Sequence, residues 1–205
     1  NGIWSEHQKL TASDGAMHDY FGNSVTIDGD TAVFGAHGDD DNGNSSGSAY
    51  IFTRTNGIWS EQQKLTASDG AEADWFGNSV SIDGDTALIS SEDNDNGYKS
   101  GSAYIFTRSN GVWSEQQKLT ASDGRREDYF SSSVSIDGDK AVIGAFWDDD
   151  NGNSSGSAYI FTRTNGIWSE HQKLTASDGA MNHYFGNSVS IDSGTVVIGA
   201  WNDDD

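Results

Sequence analysis

One segment of sixteen residues constrains this chain more than any other, because it occurs four times in phase. The first copy, FGNSVTIDGDTAVFGA, begins at Phe21, and close copies begin at Phe76, Phe130 and Phe185, at spacings of 55, 54 and 55 residues. A fixed period of this length is typical of repeat architectures, in which each unit packs against its neighbours. The chain of 205 residues is therefore predicted to form one repeat domain.

Each copy is predicted to be a tight β-hairpin. Small polar and β-branched residues alternate over residues 24–27, which is the period-two pattern of a strand. Asp28-Gly29-Asp30 supplies the residue types that a turn requires, and an apolar run resumes at residues 32–34. The aromatic residue that precedes each leading Phe, Tyr20 in the first copy, is predicted to pack with that Phe between neighbouring repeats.

A second hairpin follows in each repeat. The strand-like runs AYIFTRT at residues 49–55 and IWSEQQKL at residues 58–65 flank Asn56-Gly57, and Asn-Gly in this setting is the strongest short hairpin signal. Four short antiparallel strands in a period of about 55 residues indicate an all-β fold of β-propeller type, built from four-stranded blades.

The repeats divide the chain into three complete blades and parts of two others. Residues 1–10 are predicted to be the last strand of a preceding blade, and residues 185–205 the first half of a further blade. The complete blades are predicted at residues 21–65, 76–119 and 130–174. This division favours a longer protein, and the alternative is an open array that neighbouring chains continue by strand addition.

Charge and composition exclude several kinds of partner and site. Eleven Lys and Arg against 32 Asp and Glu give a net charge of −21, which opposes binding to nucleic acid or to an anionic membrane. The chain has no Cys, so it has neither a disulfide framework nor a thiolate metal site. The expected partners are protein or glycan at a cell surface, or copies of the chain itself.

The FG, GA and GSAYIF motifs of each repeat resemble FG-GAP repeats, the blades of integrin α-subunit propellers and of many bacterial surface proteins. In the first repeat these motifs are Phe21-Gly22, Gly35-Ala36 and residues 47–52, and the resemblance covers the whole chain. It implies an extracellular or cell-surface location and a structural or adhesive role without enzymatic activity.

Two departures limit what the resemblance implies. Many family members hold Ca²⁺ in a long Asp-rich loop between the first two strands, whereas this chain has only Asp28-Gly29-Asp30 there. The Pro of the family's GAP motif is also missing, and its place is taken by His37, Glu92, Phe146 and Trp201 in the four repeats. The calcium ligands of the family therefore have no counterparts at that position.

Calcium is instead a candidate cofactor of the acidic loop that follows each GA, and no other cofactor is expected. Ca²⁺ takes about six to eight oxygen ligands, which carboxylates around a Gly-permitted bend can supply in part. The alternative is a solvated acidic turn. A second acidic set, Asp14 with Asp19, Asp69 with Asp74 and Asp123 with Asp128, could also ligate a cation, but turn chemistry is favoured there. The candidate calcium ligands are Asp39, Asp41, Asn44, Asp93, Asp95, Asp148, Asp150 and Asn153.

Ligand specificity is expected where the repeats differ, because loops on a constant scaffold usually carry binding. The candidates are His37, Phe146, Trp147 and Trp201. For Phe146 and Trp147, burial between blades is the alternative. No catalytic residue is predicted, since every carboxylate pair recurs in each repeat whereas an active site is a unique constellation. Asn44 and Asn153 begin matches to the N-glycosylation sequon.

The leading hypothesis is a non-enzymatic extracellular structural or adhesion protein whose blades assemble into surface arrays or filaments. The alternative is a calcium-dependent propeller module that binds carbohydrate or protein.

Overall fold

The computed structural model describes residues 2–92 and 97–203 of the chain. These residues form β-strands joined by turns and loops, and no helix among them is long and apolar enough to span a membrane. The strands are β1 (Val25–Asp28), β2 (Thr31–Ala36), β3 (Ser48–Thr55), β4 (Ile58–Leu65), β5 (Val80–Asp83), β6 (Thr86–Ser91), β7 (Ser102–Ser109), β8 (Val112–Leu119), β9 (Phe130–Asp137), β10 (Lys140–Ala145), β11 (Ser157–Thr164), β12 (Ile167–Leu174), β13 (Phe185–Asp192) and β14 (Thr195–Ala200).

The strands form one antiparallel sheet per repeat, in chain order. The sheets are β1-β2-β3-β4, β5-β6-β7-β8 and β9-β10-β11-β12, and β13 pairs with β14 in a two-stranded sheet. We call the four-stranded sheets the first, second and third blades and the two-stranded sheet the half-blade. The prediction of an all-β fold with four-stranded, propeller-like blades is confirmed.

The predicted turns explain the registers of both hairpins. Thr55 pairs with Ile58 across Asn56 and Gly57, whose φ angles of 53° and 81° are those of a type I′ turn. In the hairpin before it, Asp28 pairs with Thr31, and Gly29 has a φ of 55°. Turns of this kind match the twist of the flanking strands, so each hairpin closes with two residues.

The apolar core lies between consecutive blades. One cluster combines Val33 and Ile51 of the first blade with Ile82, Tyr104 and Trp113 of the second. Equivalent clusters lie between the second and third blades and between the third blade and the half-blade. Each sheet is thus covered by its neighbours, which is the packing expected of a repeat protein.

The leading Phe of each repeat fixes one blade to the next. Phe76 is fully buried, donates its N–H to the Ser46 carbonyl at 3.0 Å, and packs edge to face against Tyr104 at 5.5 Å. Tyr20, by contrast, is exposed. The Phe therefore fills the junction, whereas the aromatic residue before it is exposed at Tyr20 and half-buried at Trp75, Tyr129 and Tyr184.

Residues 2–10 have no strand partner among the described residues, so their role as the last strand of a preceding blade stays a prediction. Their side chains nevertheless make fourth-strand contacts. Gln8 bonds the backbone N–H and carbonyl of Trp59 at 2.9 and 2.8 Å, as Gln63 does with Trp113.

The approach of neighbouring backbones requires glycine at Gly77. A Cβ there would lie 2.3 Å from the Ser48 carbonyl oxygen, and the φ angle is +86°. Gly84, in the turn of the same blade, also has a positive φ, but a Cβ there would meet nothing within 4 Å.

We therefore expect Gly77→Ala to destabilise the fold more than Gly84→Ala. Both variants carry the left-handed backbone cost of about 1–2 kcal/mol, and Gly77→Ala adds an overpacking cost of about 1–3 kcal/mol. Urea unfolding followed by tryptophan fluorescence gives the two free energies of unfolding. Equal losses in the two variants would contradict the close approach of the blades.

Candidate functional site

A lysine ammonium group lies among three carboxylates in the first blade. The Nζ atom of Lys64 is 2.8 Å from Asp14 Oδ2, 2.9 Å from Asp39 Oδ2 and 2.6 Å from Asp41 Oδ2. The Tyr50 hydroxyl lies 2.8 Å from Asp14 Oδ1 and 2.9 Å from Asp39 Oδ2, and it can donate its single proton to either carboxylate. We call these five residues the lysine cluster of the first blade.

The third blade repeats this arrangement. Lys173 Nζ is 2.7 Å from Asp123, 2.8 Å from Asp148 and 2.6 Å from Asp150, and the Tyr159 hydroxyl is 2.8 Å from Asp123. In the second blade, Lys118 and Tyr104 both contact Asp69 at 2.8 Å. Asp93 and Asp95, the predicted ligands of that blade, lie outside the described residues.

Strand pairing brings these residues together. Tyr50 and Lys64 are opposite each other on β3 and β4, so their side chains leave the same face of the blade. Asp39 follows β2 in a tight turn, where its buried carboxylate also accepts a bond of 2.9 Å from the Ser48 hydroxyl. Asp14 comes from the loop that precedes the blade.

The cluster shifts the pKa of each kind of group in it. The hydrogen bond from Lys64 lowers the pKa of Asp14. Burial raises the pKa of Asp39, but bonds from Lys64, Ser48 and Tyr50 outweigh it and bring the pKa below its usual 3.8. Burial lowers the pKa of Lys64, but the three carboxylates raise it well above its usual range. At neutral pH Lys64 is therefore protonated, and Asp14 and Asp39 are ionised.

The structure brings four of the predicted calcium ligands into two acidic groups. Asp39 and Asp41 converge in the first blade, and Asp148 and Asp150 do so in the third. The roles of Asn44 and Asn153 as ligands stay predictions. The third members of the groups are Asp14 and Asp123, which belong to the second acidic set and for which the sequence favours turn chemistry. Each acidic triad could hold a metal ion by the closeness of its oxygens. In the structure, however, a lysine Nζ lies within 2.9 Å of all three carboxylates in both triads.

Asp19 behaves as the turn chemistry predicts. Its Oδ2 accepts a bond of 2.5 Å from the Ala16 N–H, and Asp74 and Asp128 cap the corresponding loops in the same way. The Asp128 carboxylate is buried, which raises its pKa to about 6. Asp14 and Asp19 therefore have different roles, although they lie in one loop.

A second feature is a line of aromatic side chains along one end of the blades. Tyr20 stacks on His37 at 4.9 Å, and His37 contacts Trp75 at 5.5 Å. Lys99 Nζ lies 4.8 Å from the Trp75 ring and 5.0 Å from the Tyr129 ring, which continues the line. We call this line the aromatic row; it comprises Tyr20, His37, Trp75, Lys99, Tyr129, Phe146, Trp147, Tyr184 and Trp201.

All four predicted loop candidates belong to this row. His37 and Phe146 are half-buried between aromatic neighbours, whereas Trp147 and Trp201 are exposed. Asn44 and Asn153, the sequon residues, are exposed in the acidic loops, and their glycosylation stays a prediction. The sequence singled out one half of the row, the residues after GA, as candidates for binding.

The other half of the row consists of the residues before each leading Phe, and their backbone is strained. Tyr20, Trp75, Tyr129 and Tyr184 have φ angles of 57°, 53°, 53° and 55°. Bulky residues rarely adopt this left-handed conformation, which costs about 1–3 kcal/mol and concentrates at functional positions. The residue before each leading Phe thus has the same backbone conformation in all four repeats.

The comparison with known families agrees with the blade pattern. A family model described as FG-GAP repeat matches residues 4–52, 59–106, 113–161 and 168–205. The chain belongs to the FG-GAP repeat family. Such repeats are typical of extracellular or surface proteins and often occur in adhesion or binding proteins. No curated protein matches the chain significantly.

The boundaries of the FG-GAP repeat unit do not coincide with the boundaries of a blade. The second and third matches begin at the Trp of a fourth strand and end at the Phe of the third strand of the next blade. The first match begins at the corresponding Trp4 and ends at Phe52 of β3. One unit therefore contains a whole junction, including the Phe that bridges two sheets. Asp14, Asp39 and Asp41 all fall within the first unit, whereas Lys64 comes from the second.

We expect Lys64→Met to destabilise this FG-GAP chain by about 2–4 kcal/mol, because it leaves a buried carboxylate without its cation. The matched control is Lys9→Met. Lys9 occupies the same sequence position in residues 2–10 but is exposed there. Chemical unfolding of both variants measures the difference, and equal losses would contradict the role assigned to the cluster.

The same variant tests the calcium hypothesis. Because the Lys64 ammonium group already lies within 2.9 Å of all three carboxylates, the unfolding midpoint of the unaltered chain should be the same in chelator and in millimolar Ca²⁺. Lys64→Met should gain stability from Ca²⁺, since the ion can then approach the three carboxylates. A large calcium-dependent rise in the unaltered chain would show that lysine does not exclude the metal.

The pH dependence of stability follows from the lowered pKa of Asp14 and Asp39. Their usual pKa is 3.8, so the stabilisation by Lys64 is fully present above that value and is lost as the pH falls through the lower folded-state values. The stability difference between the unaltered chain and Lys64→Met should be constant above about pH 5 and shrink below about pH 4. Thermal melts of both proteins across this range give the difference, and one that grew on acidification would refute the assigned charges.

Proposed function

We propose that this chain is a non-enzymatic structural and adhesion module of the cell exterior, whose blades are joined into a longer array. The observation that carries the proposal is the repetition of one set of junction contacts from blade to blade. Among the described residues β14 pairs only with β13 and so has a free edge, whereas the second strand of every complete blade also pairs with a third strand. The aromatic row supplies the exposed surface on which adhesion would depend.

The junctions support the proposal because they use one set of contacts again and again. A Gln side chain bonds the backbone of the next Trp, as Gln63 does with Trp113 and Gln117 with Trp168. A Ser in the loop after each fourth strand bonds the next Glu; the pairs are Ser13 with Glu61, Ser68 with Glu115 and Ser122 with Glu170. Identical junctions allow blades to be added without a new interface.

The third blade and the half-blade present the same contact groups beside the free edge. Asp178 and Phe185 line a pocket of about 570 Å³. Their counterparts in the preceding junction, Asp123 and Phe130, both contact Tyr159 of a third strand. The free edge is thus flanked by the groups that receive a third-strand tyrosine elsewhere.

A second pocket marks the place of a fourth strand. It has a volume of about 340 Å³ and is lined by Ile160, Leu174 and Ile191, among others. The corresponding residues of the first junction, Ile51, Leu65 and Ile82, belong to the cluster that buries Trp113. In residues 2–10, Trp4 holds the sequence position that Trp113 holds in β8, and its side chain is 98% exposed.

A calcium-dependent binding module, the alternative function, has weaker support. The acidic triads provide carboxylates for a metal, but in both of them a lysine supplies the positive charge. Catalysis also lacks support, because the lysine cluster recurs in successive blades and an active site is normally unique. FG-GAP repeats are typically non-enzymatic.

We expect a peptide of residues 47–55, GSAYIFTRT, to join two copies of the chain. The peptide would pair with β14 of one copy and with residues 2–10 of another, so that the three parts form a composite blade. Sedimentation and light scattering should then show species of two or more chains, and electron microscopy should show extended particles. A chain that bound one peptide and stayed monomeric would favour a closed ring instead.

Two variants show whether the junction itself is responsible. Gln172→Ala removes the amide that would bond the backbone of Trp4 in the second copy, and it should weaken peptide-induced association. Gln8→Ala removes the same kind of amide, but its contact with Trp59 lies within one chain. Equal association of the two variants would count against the array, as would an unaltered chain that fails to bind the peptide.

A further inference from the structure

A third pocket lies on the aromatic row, between the third blade and the half-blade. It has a volume of about 290 Å³. Residues of β14 line the two pockets beside the free edge, whereas none of the residues that line this pocket belongs to β14. Its lining includes Arg126, Glu127, Trp147, Asp149, Asn182 and Tyr184. Two aromatic rings therefore share one small pocket with charged and amide groups.

The walls of this pocket are held in place from several sides. Trp147 packs against Tyr129 at 5.0 Å and against Phe146 at 5.9 Å. Tyr184 contacts Trp201 at 5.5 Å and donates its backbone N–H to Ser154 at 3.1 Å. Rings fixed in this way provide apolar surfaces at little entropic cost to a ligand.

The polar groups are also oriented. Asp149 Oδ1 accepts a bond of 2.7 Å from the Ser154 N–H, which fixes the carboxylate while its second oxygen has no partner among the residues described. The backbone N–H of Asn182 donates to Asn153 at 2.9 Å. Arg126 pairs with Glu127 at 3.1 Å in an exposed ion pair.

Donors and acceptors occur together in this pocket. Arg126, the Asn182 amide and the Tyr184 hydroxyl can donate, and Glu127 and Asp149 can accept. A sugar hydroxyl both donates and accepts, and the C–H face of a pyranose ring is apolar enough to lie on an aromatic ring. The volume is at the lower end of ligand pockets, which are about 300–1,000 Å³, and suits a single ring.

Charge narrows the ligand class. Two carboxylates and one guanidinium line the pocket, and the whole chain has a net charge of −21. Both facts oppose an anionic sugar or a phosphate ester. The required features are thus a neutral ring with one apolar face and several hydroxyls.

We infer that this pocket binds the neutral pyranose ring of a saccharide, without calcium. The inference rests on the adhesion part of the proposed function and is independent of the array. It concerns one junction only, because the side chains differ elsewhere. In the first junction Gly38 stands in the position of Trp147, and Ala73 in that of Asn182.

The first junction supplies matched variants for the test. Trp147→Gly introduces the residue that the first blade has at this position, so the fold is known to accept it. Asp149→Asn changes the pocket carboxylate, and Asp40→Asn changes its counterpart, which accepts the same 2.7 Å bond from Ser45 outside the pocket.

Saturation-transfer NMR and calorimetry with glucose, galactose, mannose and N-acetylglucosamine, in the presence of chelator, test the inference. At least one of these sugars should bind the monomeric chain, with glucuronic acid as a weaker-binding anionic control. Trp147→Gly and Asp149→Asn should each weaken binding about tenfold or more, whereas Asp40→Asn should leave it unchanged. Circular dichroism and the unfolding midpoint verify that each variant is folded.

Failure to bind any of the neutral sugars would overturn the inference, and so would equal effects of Asp149→Asn and Asp40→Asn. Binding that required Ca²⁺ would also contradict it. These outcomes are separate from the assembly test, because sugar binding is measured on the monomer and assembly is measured by mass. A chain that bound peptide and formed arrays but bound no sugar would retain the structural function alone.

Discussion

The burial of each sheet's apolar face against the next sheet is the interaction on which the rest of this structure depends. A single four-stranded blade leaves residues such as Ile51 and Tyr104 without cover, and only the neighbouring blade removes them from water. Stability is then approximately a sum over junctions. This dependence explains why Phe76 and Gly77, which fix the distance between two blades, are more constrained than most residues of the strands themselves.

The lysine cluster follows from the same packing. A loop rich in Asp must come close to the sheet, and the approach buries Asp39. A buried carboxylate is costly unless a cation or several donors accompany it. Metal ions solve this problem in many proteins, whereas here Lys64 and Tyr50, opposite each other on β3 and β4, provide the charge and the donor. The positive charge thus belongs to a side chain of the protein itself, so folding need not depend on a bound metal ion.

The sequence predicted the hairpins because their signals are local. Asn56-Gly57 determines a turn from two residues, and the alternation of residues 24–27 is visible without any partner. The lysine cluster was not predicted, since Asp14, Asp39 and Lys64 are far apart in the chain and meet only after β3 pairs with β4. The Lys of QKL and the Tyr of AYIF recur in the same repeats as the acidic loops, and this joint recurrence is the pattern from which the cluster could have been predicted.

The aromatic row shows how a constant scaffold can carry a variable surface. The left-handed conformation of Tyr20 recurs at Trp75, Tyr129 and Tyr184, so the scaffold determines where each ring lies regardless of its identity. The residue after each GA differs in every repeat, and Trp147 has only Gly38 as its counterpart in the first blade. Because the junctions hold the row in place, substitutions in it can alter a ligand pocket while the interblade core stays the same. Selection on binding can therefore act at one junction without disturbing the assembly of the others.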